Sequence, residues 1–367
     1  MGTRPNFMKT VPVVQKLAAR PDEFEHVLVH TGQHYDRAMS DIFFEQLGVG
    51  EPDHLLSVGS GPHGAQTAKV MSALEPLLIE LQPDLLLVPG DVNSTMAAAL
   101  VASKLGIPIG HIEAGLRSFD RTMPEEVNRV VTDQISDLLF IHSPEAVDHL
   151  RQEGRSEKDV FYVGNTMIDS LVAMREPIAA AASHERHGLL PSGYIVVTLH
   201  RPALVDGPLL PDAIARLAAV AADIPVVFPV HPRTRKMIEA AGLDTGAIRL
   251  LEPMGYVEFL SLVATSLGVL TDSGGIQEET TFLGIPCFTL RDNTERPVTC
   301  ELGTNVLLGL DPARIEEIPA LVRAATASAP TDPPPMWDGR AAERIVDELA
   351  ALECYARFAG GVAPLAV

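Results

Sequence analysis

The feature that most constrains this chain is a recurrence. Short, unbroken apolar runs rich in Val, Ile and Leu each end on a polar residue or glycine, and each is followed by a longer segment of helical character. In the first half the runs are 26–30 (HVLVH), 85–90 (LLLVPG), 107–113 (IPIGHIE), 138–142 (LLFIH) and 160–164. In the second half they are 194–200 (YIVVTLH), 225–231 (PVVFPVH), 247–252, 267–272 (LGVLTD), 286–290 and 305–309. Continuous rather than alternating apolarity marks strands covered on both faces, as in a parallel sheet between helices. The expected fold class is therefore α/β, with two Rossmann-like, doubly wound parallel-sheet domains facing a central cleft. A length of 367 residues gives each domain enough chain to bury its own core.

The seam falls near Gly164-Asn165-Thr166, which sets the domains at 1–164 and 165–339, with 168–182 a helix leading into the second sheet. The proline run in TDPPPMWDG (331–339) cannot continue a helix. Beyond it, 340–367 carries a terminal helix with Ile345, Val346, Leu349 and Leu352 on one face, expected to complete the first domain. The GTRP motif begins at Gly2, where such a turn in a Rossmann-like half follows the first, central strand. Either that strand has been lost or the native start lies upstream of Met1, and the second is the expectation.

With 28 Lys+Arg against 48 Asp+Glu, the formal net charge is −20. That balance argues against nucleic acid or an anionic membrane as the main partner, since either needs a net basic face. Cys287, Cys300 and Cys354 form no close-spaced metal pattern and suit a reducing compartment. No run approaches the roughly 18 apolar residues of a membrane helix, and the N-terminus lacks a signal-peptide core. A cytoplasmic protein is expected.

Ligands of open α/β sheets bind beyond the carboxyl ends of the strands. There the sequence places Asp91, His111, Glu113, His200, Arg201, His231 and the turn Asp272-Ser273-Gly274-Gly275. In TDSGGIQEETTFLG (271–284) a strand runs through a glycine turn into a helix start whose N–H groups and dipole favour phosphate. The turn alone reads equally as a Ser-capped helix. Glu278 and Glu279 tip the reading, because a carboxylate one turn in can accept from ribose hydroxyls, and a nucleoside diphosphate is the implied ligand.

In HIEAGLRSFDRTMPEEVNR, Pro124 reads as a first helical residue. Glu125 and Arg129 are spaced i, i+4, so a surface ion pair is one reading. Carriage of Glu113 and Glu125 into the cleft beside Asp91, as an acid/base set, is the other. A metal site built on His111, His200, His231 and Asp272 is weak, since no histidine pair has ligand spacing on one helix.

The motifs GTRPNFMK, TGQHYDRAM, PGDVNST, HIEAGLRS, MPEEVNR, GNTMIDSL, HRP, PVHPRT, TDSGGIQEE, RDNTERP and GTNVLLG occur in that order. Together they resemble the non-hydrolysing UDP-N-acetylglucosamine 2-epimerases, over essentially the whole chain. The resemblance implies a glycosyltransferase-B type fold and interconversion of UDP-GlcNAc and UDP-ManNAc by elimination of UDP to 2-acetamidoglucal and re-addition, with neither cofactor nor metal. It implies Asp91, Glu113, Glu125 and His200 as catalytic residues. Arg4, Lys9, Arg129, Ser273, Gly274 and Gly275 would hold phosphates or sugar, Glu279 the ribose and Phe259 the uracil. On sequence alone Phe259 serves equally as a core residue. Gln33 and His34 fall in the region that binds a second, activating UDP-GlcNAc, and a homodimer is the family's habit. Asn6 departs from the pattern, standing where some relatives carry Glu. The alternatives carried forward are a hydrolysing 2-epimerase that releases ManNAc and UDP, a 2-epimerase of a modified UDP-sugar, and a non-catalytic UDP-sugar-binding protein.

Overall fold

A computed structural model of the protein describes residues 4–32, 50–328 and 332–351. The chain divides into two compact units, Met1–Val172 with Pro335–Val367, and Ala173–Pro334. Every strand pairing among the described residues is parallel. Each apolar run of the sequence contains one strand. No run announced β2 (His54–Leu55), which pairs with β1 (Val29–His30).

The first unit also holds a four-stranded sheet in the order β3 (Leu86–Pro89), β4 (Ile109–Ile112), β5 (Leu138–Ile141), β6 (Val160–Tyr162). One cluster of its core joins Ile112, Leu138 and Phe140 to Val13 and Leu17 of the helix Arg4–Ala18 and to Ile345, Val346 and Leu349 of the helix Ala341–Ala351. Another joins Val88 and Ile109 to Leu74 and Leu78 and to Ala98, Ala99, Val101 and Ala102. The unit is thus closed by a helix from the far end of the chain, whose apolar stripe was legible at helical spacing through Ile345, Val346 and Leu349, Leu352 lying outside the described residues.

The boundary lies after Val172 rather than Gly164, and hydrogen bonds explain the difference. The expected helix over 168–182 is two helices, Thr166–Ala173 and Arg175–Ala181. The earlier one is tied into the first unit. Ser170 donates to the Met8 carbonyl at 2.6 Å, and the buried Asp169 accepts from the N–H groups of Ala341 at 3.0 Å and Ala342 at 2.7 Å. The later helix packs against Tyr256–Ala264 of the second unit.

The second unit has six strands in the order β12 (Asn305–Leu307), β11 (Cys287–Thr289), β10 (Gly268–Thr271), β7 (Ile195–Thr198), β8 (Val226–Pro229), β9 (Arg249–Leu251). From β7 the chain steps outward through β8 to β9, then crosses back to β10 on the other side. The switch point of this doubly wound sheet lies between β7 and β10. Ile195, Val197, Phe228, Leu270 and Phe288 pack with Ile214, Leu217, Ile315 and Ile318 in its core. No helix among the described residues is long and apolar enough to cross a membrane.

Burial raises the carboxyl of Asp169 to about 6, against the two backbone hydrogen bonds that favour its charge; Asp338 adds to the rise and Arg344 opposes it. A folded-state value above the unfolded one means that the folded chain holds a proton the unfolded chain has released. Its contribution to stability is therefore present at acid pH and lost as pH rises through 6. Urea unfolding of wild type and of the Asp169→Asn variant should show wild type gaining stability relative to the variant from pH 7 to pH 5, and a gap that is constant with pH would refute this.

Candidate active site

In the first unit the helix Pro124–Ile135 organises the charged residues, and it does so by burying its polar face. Glu126, Asn128, Arg129, Thr132 and Asp133 are buried, while Val127 is 37% exposed. Arg129 is ion-paired with Asp91, just beyond β3, and with Glu126. The Glu125–Arg129 ion pair that the spacing allowed does not form. Arg129 instead reaches Glu126 at i+3, because Glu126 is already fixed as an acceptor by Ser118 N–H (2.9 Å), Ser118 Oγ (3.0 Å) and Phe119 N–H (2.9 Å). Glu125 is partly buried on the first turn. Asn128 donates to the Asp91 carbonyl at 2.9 Å, so one helix grips Asp91 by its side chain and its backbone.

Lys9, on the helix Arg4–Ala18, reaches Glu113 Oε2 at 2.6 Å, with both side chains 5% exposed. Glu113 follows β4 at φ 73°, a left-handed conformation that is costly for a residue with a Cβ. Gly90, at φ 65°, lies against the same lysine, for a Cβ there would stand 3.1 Å from Lys9 Nζ. A side chain at this left-handed position would be strained and would press on the lysine.

Behind this pair lies a second chain of buried charge. His111 points Nδ1 at Asp133 Oδ1 (2.6 Å) and Nε2 at the Gly90 carbonyl (2.7 Å). Arg117 binds Asp133 Oδ2 at 2.7 Å and Glu153 at 2.5 Å. Burial alone would raise the carboxyl of Asp133, but His111 and Arg117 outweigh it and hold the group below the usual range. Glu126, Asn128 and Asp133 are members of this cluster that sequence reasoning did not single out as site residues. The available signal was the spacing i, i+3, i+7 of Glu126, Arg129 and Asp133 on one helix face.

In the second unit the residues collect at the switch point. Asp272, fully buried after β10, accepts at Oδ2 from the N–H groups of His200 (2.8 Å) and Arg201 (2.7 Å), and His200 Nδ1 lies 2.9 Å from Oδ1. Burial opposes the charge of Asp272, yet the His200 contact and the two backbone bonds keep its carboxyl below the ordinary value. His231 follows β8. Its Nδ1 accepts from Arg233 N–H at 3.2 Å, and burial, with the charges of His200 and Arg233, lowers its pKa.

Ser273 precedes the helix Gly274–Leu283 and makes no side-chain cap bond. The simple capped-helix reading therefore does not hold, and the N–H groups of Gly274 and Gly275 open the helix without a side-chain acceptor from Ser273. Arg296 packs onto this turn, for a Cβ at Gly274 would stand 2.6 Å from its Nη1. Its Nε lies 2.9 Å from Glu278 Oε1, and Arg291 binds Glu295 at 2.8 Å, all four groups being buried. Glu279 is buried on the same helix. Phe259 is partly exposed on Tyr256–Ala264. The Arg4 side chain, Gln33 and His34 lie outside the described residues, and no group of three or more candidate metal ligands occurs among those described.

Parallel sheets whose strand ends carry acids, bases and an open helix start are the mark of a nucleotide-handling α/β protein. The family model of UDP-N-acetylglucosamine 2-epimerase matches residues 15–350. The UDP-N-acetylglucosamine 2-epimerase of Methanococcus maripaludis is 42% identical over 86% of this chain and 88% of its own. The UDP-2,3-diacetamido-2,3-dideoxy-D-glucuronate 2-epimerase of Pseudomonas aeruginosa is 42% identical over 96% and 98%. Among solved structures, Methanocaldococcus jannaschii UDP-GlcNAc 2-epimerase in complex with UDP-GlcNAc and UDP superposes with a TM-score of 0.83 at 38% identity, covering 95% of this chain and 97% of that one. This chain belongs to the UDP-N-acetylglucosamine 2-epimerase family.

Removing Lys9 strands a buried carboxylate, which costs about 3–5 kcal/mol. Lys9→Met should lose stability of that order in urea unfolding, and Lys9→Met with Glu113→Gln should recover much of it. Strict additivity of the two single changes would disprove the coupling.

Proposed function

We propose that this protein catalyses the reversible 2-epimerisation of UDP-N-acetylglucosamine, without hydrolysing the product. The observation that carries the reading is the pair of cation–carboxylate contacts at Glu113 and Asp91, which follow adjacent strands, the first buried and the second largely so. Inverting C2 requires proton removal on one face and delivery on the other. The C2 proton is weakly acidic, so its removal accompanies cleavage of the C1–oxygen bond, whose electron pair leaves on UDP. Re-addition of UDP to the 2-acetamidoglucal, with a proton reaching the opposite face of C2, completes the inversion.

Asp91, Glu113 and Glu125 take the acid/base roles, and Lys9 and Arg129 offset charge on the carboxylates they touch. Ser273, Gly274 and Gly275 at the open helix start take phosphate oxygens, Glu279 the ribose and Phe259 the uracil. His200 assists departure of the diphosphate.

A second reading has support of its own. The Pseudomonas aeruginosa relative, named for a diacetamido uronate sugar, matches nearly the whole chain at the same identity as the Methanococcus maripaludis enzyme. The substrate of this chain is then a modified UDP-sugar handled by the same chemistry.

Incubation with UDP-GlcNAc in D2O separates the outcomes. UDP-ManNAc carrying deuterium at C2 is expected. Free ManNAc would identify a hydrolase, and exchange only with the diacetamido uronate sugar would identify the modified substrate. Asp91→Asn, Glu113→Gln and Glu125→Gln should each lower turnover by roughly 10²-fold or more while UDP still binds. Full turnover in all three would remove the proposed acid/base set.

A further inference from the structure

Two histidines end neighbouring strands at the centre of the second sheet, and their backing partners are of opposite kinds. Nδ1 of His200, after β7, lies 2.9 Å from Oδ1 of Asp272, a charge contact whose angle falls short of a hydrogen bond. Nδ1 of His231, after β8, accepts from the N–H of Arg233 at 3.2 Å. A ring nitrogen that faces a carboxylate carries hydrogen, and one that accepts from an N–H does not. The neutral forms of the two rings are therefore different tautomers. His200 is the Nδ1–H form, with the lone pair on Nε2 directed away from Asp272. His231 is the Nε2–H form.

We infer that Asp272 is the positioning residue that makes His200, and not His231, the proton carrier of this half of the protein. The inference rests on the reading of the chain as a UDP-sugar epimerase. As the C1–oxygen bond breaks, its electron pair passes to the diphosphate oxygen. His200, protonated at both nitrogens, transfers the Nε2 proton to that oxygen and becomes neutral, while Nδ1–H stays with Asp272. On re-addition the oxygen forms its bond to C1 and the same proton returns to Nε2. His231 has a backbone donor behind it in place of a carboxylate, so it lacks the partner that would stabilise a second proton, and it serves as a neutral N–H donor.

Asp272 is built for this task. Its Oδ2 is occupied by the N–H groups of His200 and Arg201, so the carboxylate cannot turn away, and Oδ1 is left for the ring. The other charged groups here are Arg201, with Nη2 3.9 Å from Glu295 Oε1, and Arg233, paired with Asp206. Each of these cations has its own carboxylate partner, and Asp272 is the anion whose Oδ1 lies 2.9 Å from the His200 ring.

The Asp272→Asn variant should invert the device. The two backbone N–H groups claim the amide oxygen, which turns the amide NH2 towards Nδ1 of His200 and moves the ring hydrogen to Nε2. Long-range 1H–15N correlation spectra of the unliganded protein at alkaline pH should show wild-type His200 as Nδ1–H and His231 as Nε2–H, with His200 switched to Nε2–H in the variant. Turnover should fall by about 10²–10⁴-fold, with UDP binding by calorimetry little changed. A wild-type His200 found as Nε2–H overturns the inference, and so does a variant with the switched tautomer and undiminished turnover. If the Asp272→Asn chain does not fold, the wild-type tautomers alone decide. Because the spectra need no turnover, a wild type inert towards UDP-sugars would defeat the proposed function separately from the tautomer assignment.

Discussion

Buried charge has to be matched, and much of this molecule is arranged around that requirement. An unpaired ion in a dry interior costs several kcal/mol, more than a single side-chain contact returns. The first unit meets the demand with a helix turned the wrong way round by ordinary rules. Pro124–Ile135 sinks Glu126, Asn128, Arg129 and Asp133 into the protein and leaves Val127 towards water. The carboxylates gathered around it meet cations: Glu126 and Asp91 share Arg129, Asp133 takes Arg117 beside its contact with His111, and Glu113 takes Lys9. The loop carrying Ser118 and Phe119 is fixed as a by-product, since its N–H groups satisfy the remaining acceptor capacity of Glu126.

The second unit solves a different problem with the same economy of parts. Its sheet order puts the first strand beside the fourth, so groups far apart in sequence end at one crevice. Asp272 exploits this adjacency by crossing from β10 to the residues after β7. The helix start that follows it is backed by Arg296, which in turn leans on Glu278 and Glu295. A cluster of two arginines and two glutamates thus braces the turn from behind.

Much of the fold was legible because a parallel sheet writes itself as unbroken apolar runs, and the ends of those runs named Asp91, Glu113, His200 and Asp272. Illegible features share one physical cause, dependence on contacts that sequence spacing does not encode. At two residues, β2 is too short to leave a pattern. Spacing favoured Glu125 as the partner of Arg129, whereas the direction of burial favoured Glu126. The break near Met174 did have a signal, for Pro177 is tolerated in the first turn of a new helix and not in the middle of a long one. The clamp of Asp272 on His200 spans 72 residues and depends on strand order, which no local pattern contains.

The left-handed backbone of Glu113 has a consequence for attempts to improve this protein. Strain of this kind costs of order 1–3 kcal/mol, which glycine would relieve, but losing the carboxylate would strand the buried Lys9 at a cost of about 3–5 kcal/mol. The ion pair outweighs the strain, so the fold itself keeps in place the carboxylate to which the proposed mechanism gives an acid/base role. Hardening this protein is better directed to its exposed loops and helix surfaces, with the end of β4 left as it is.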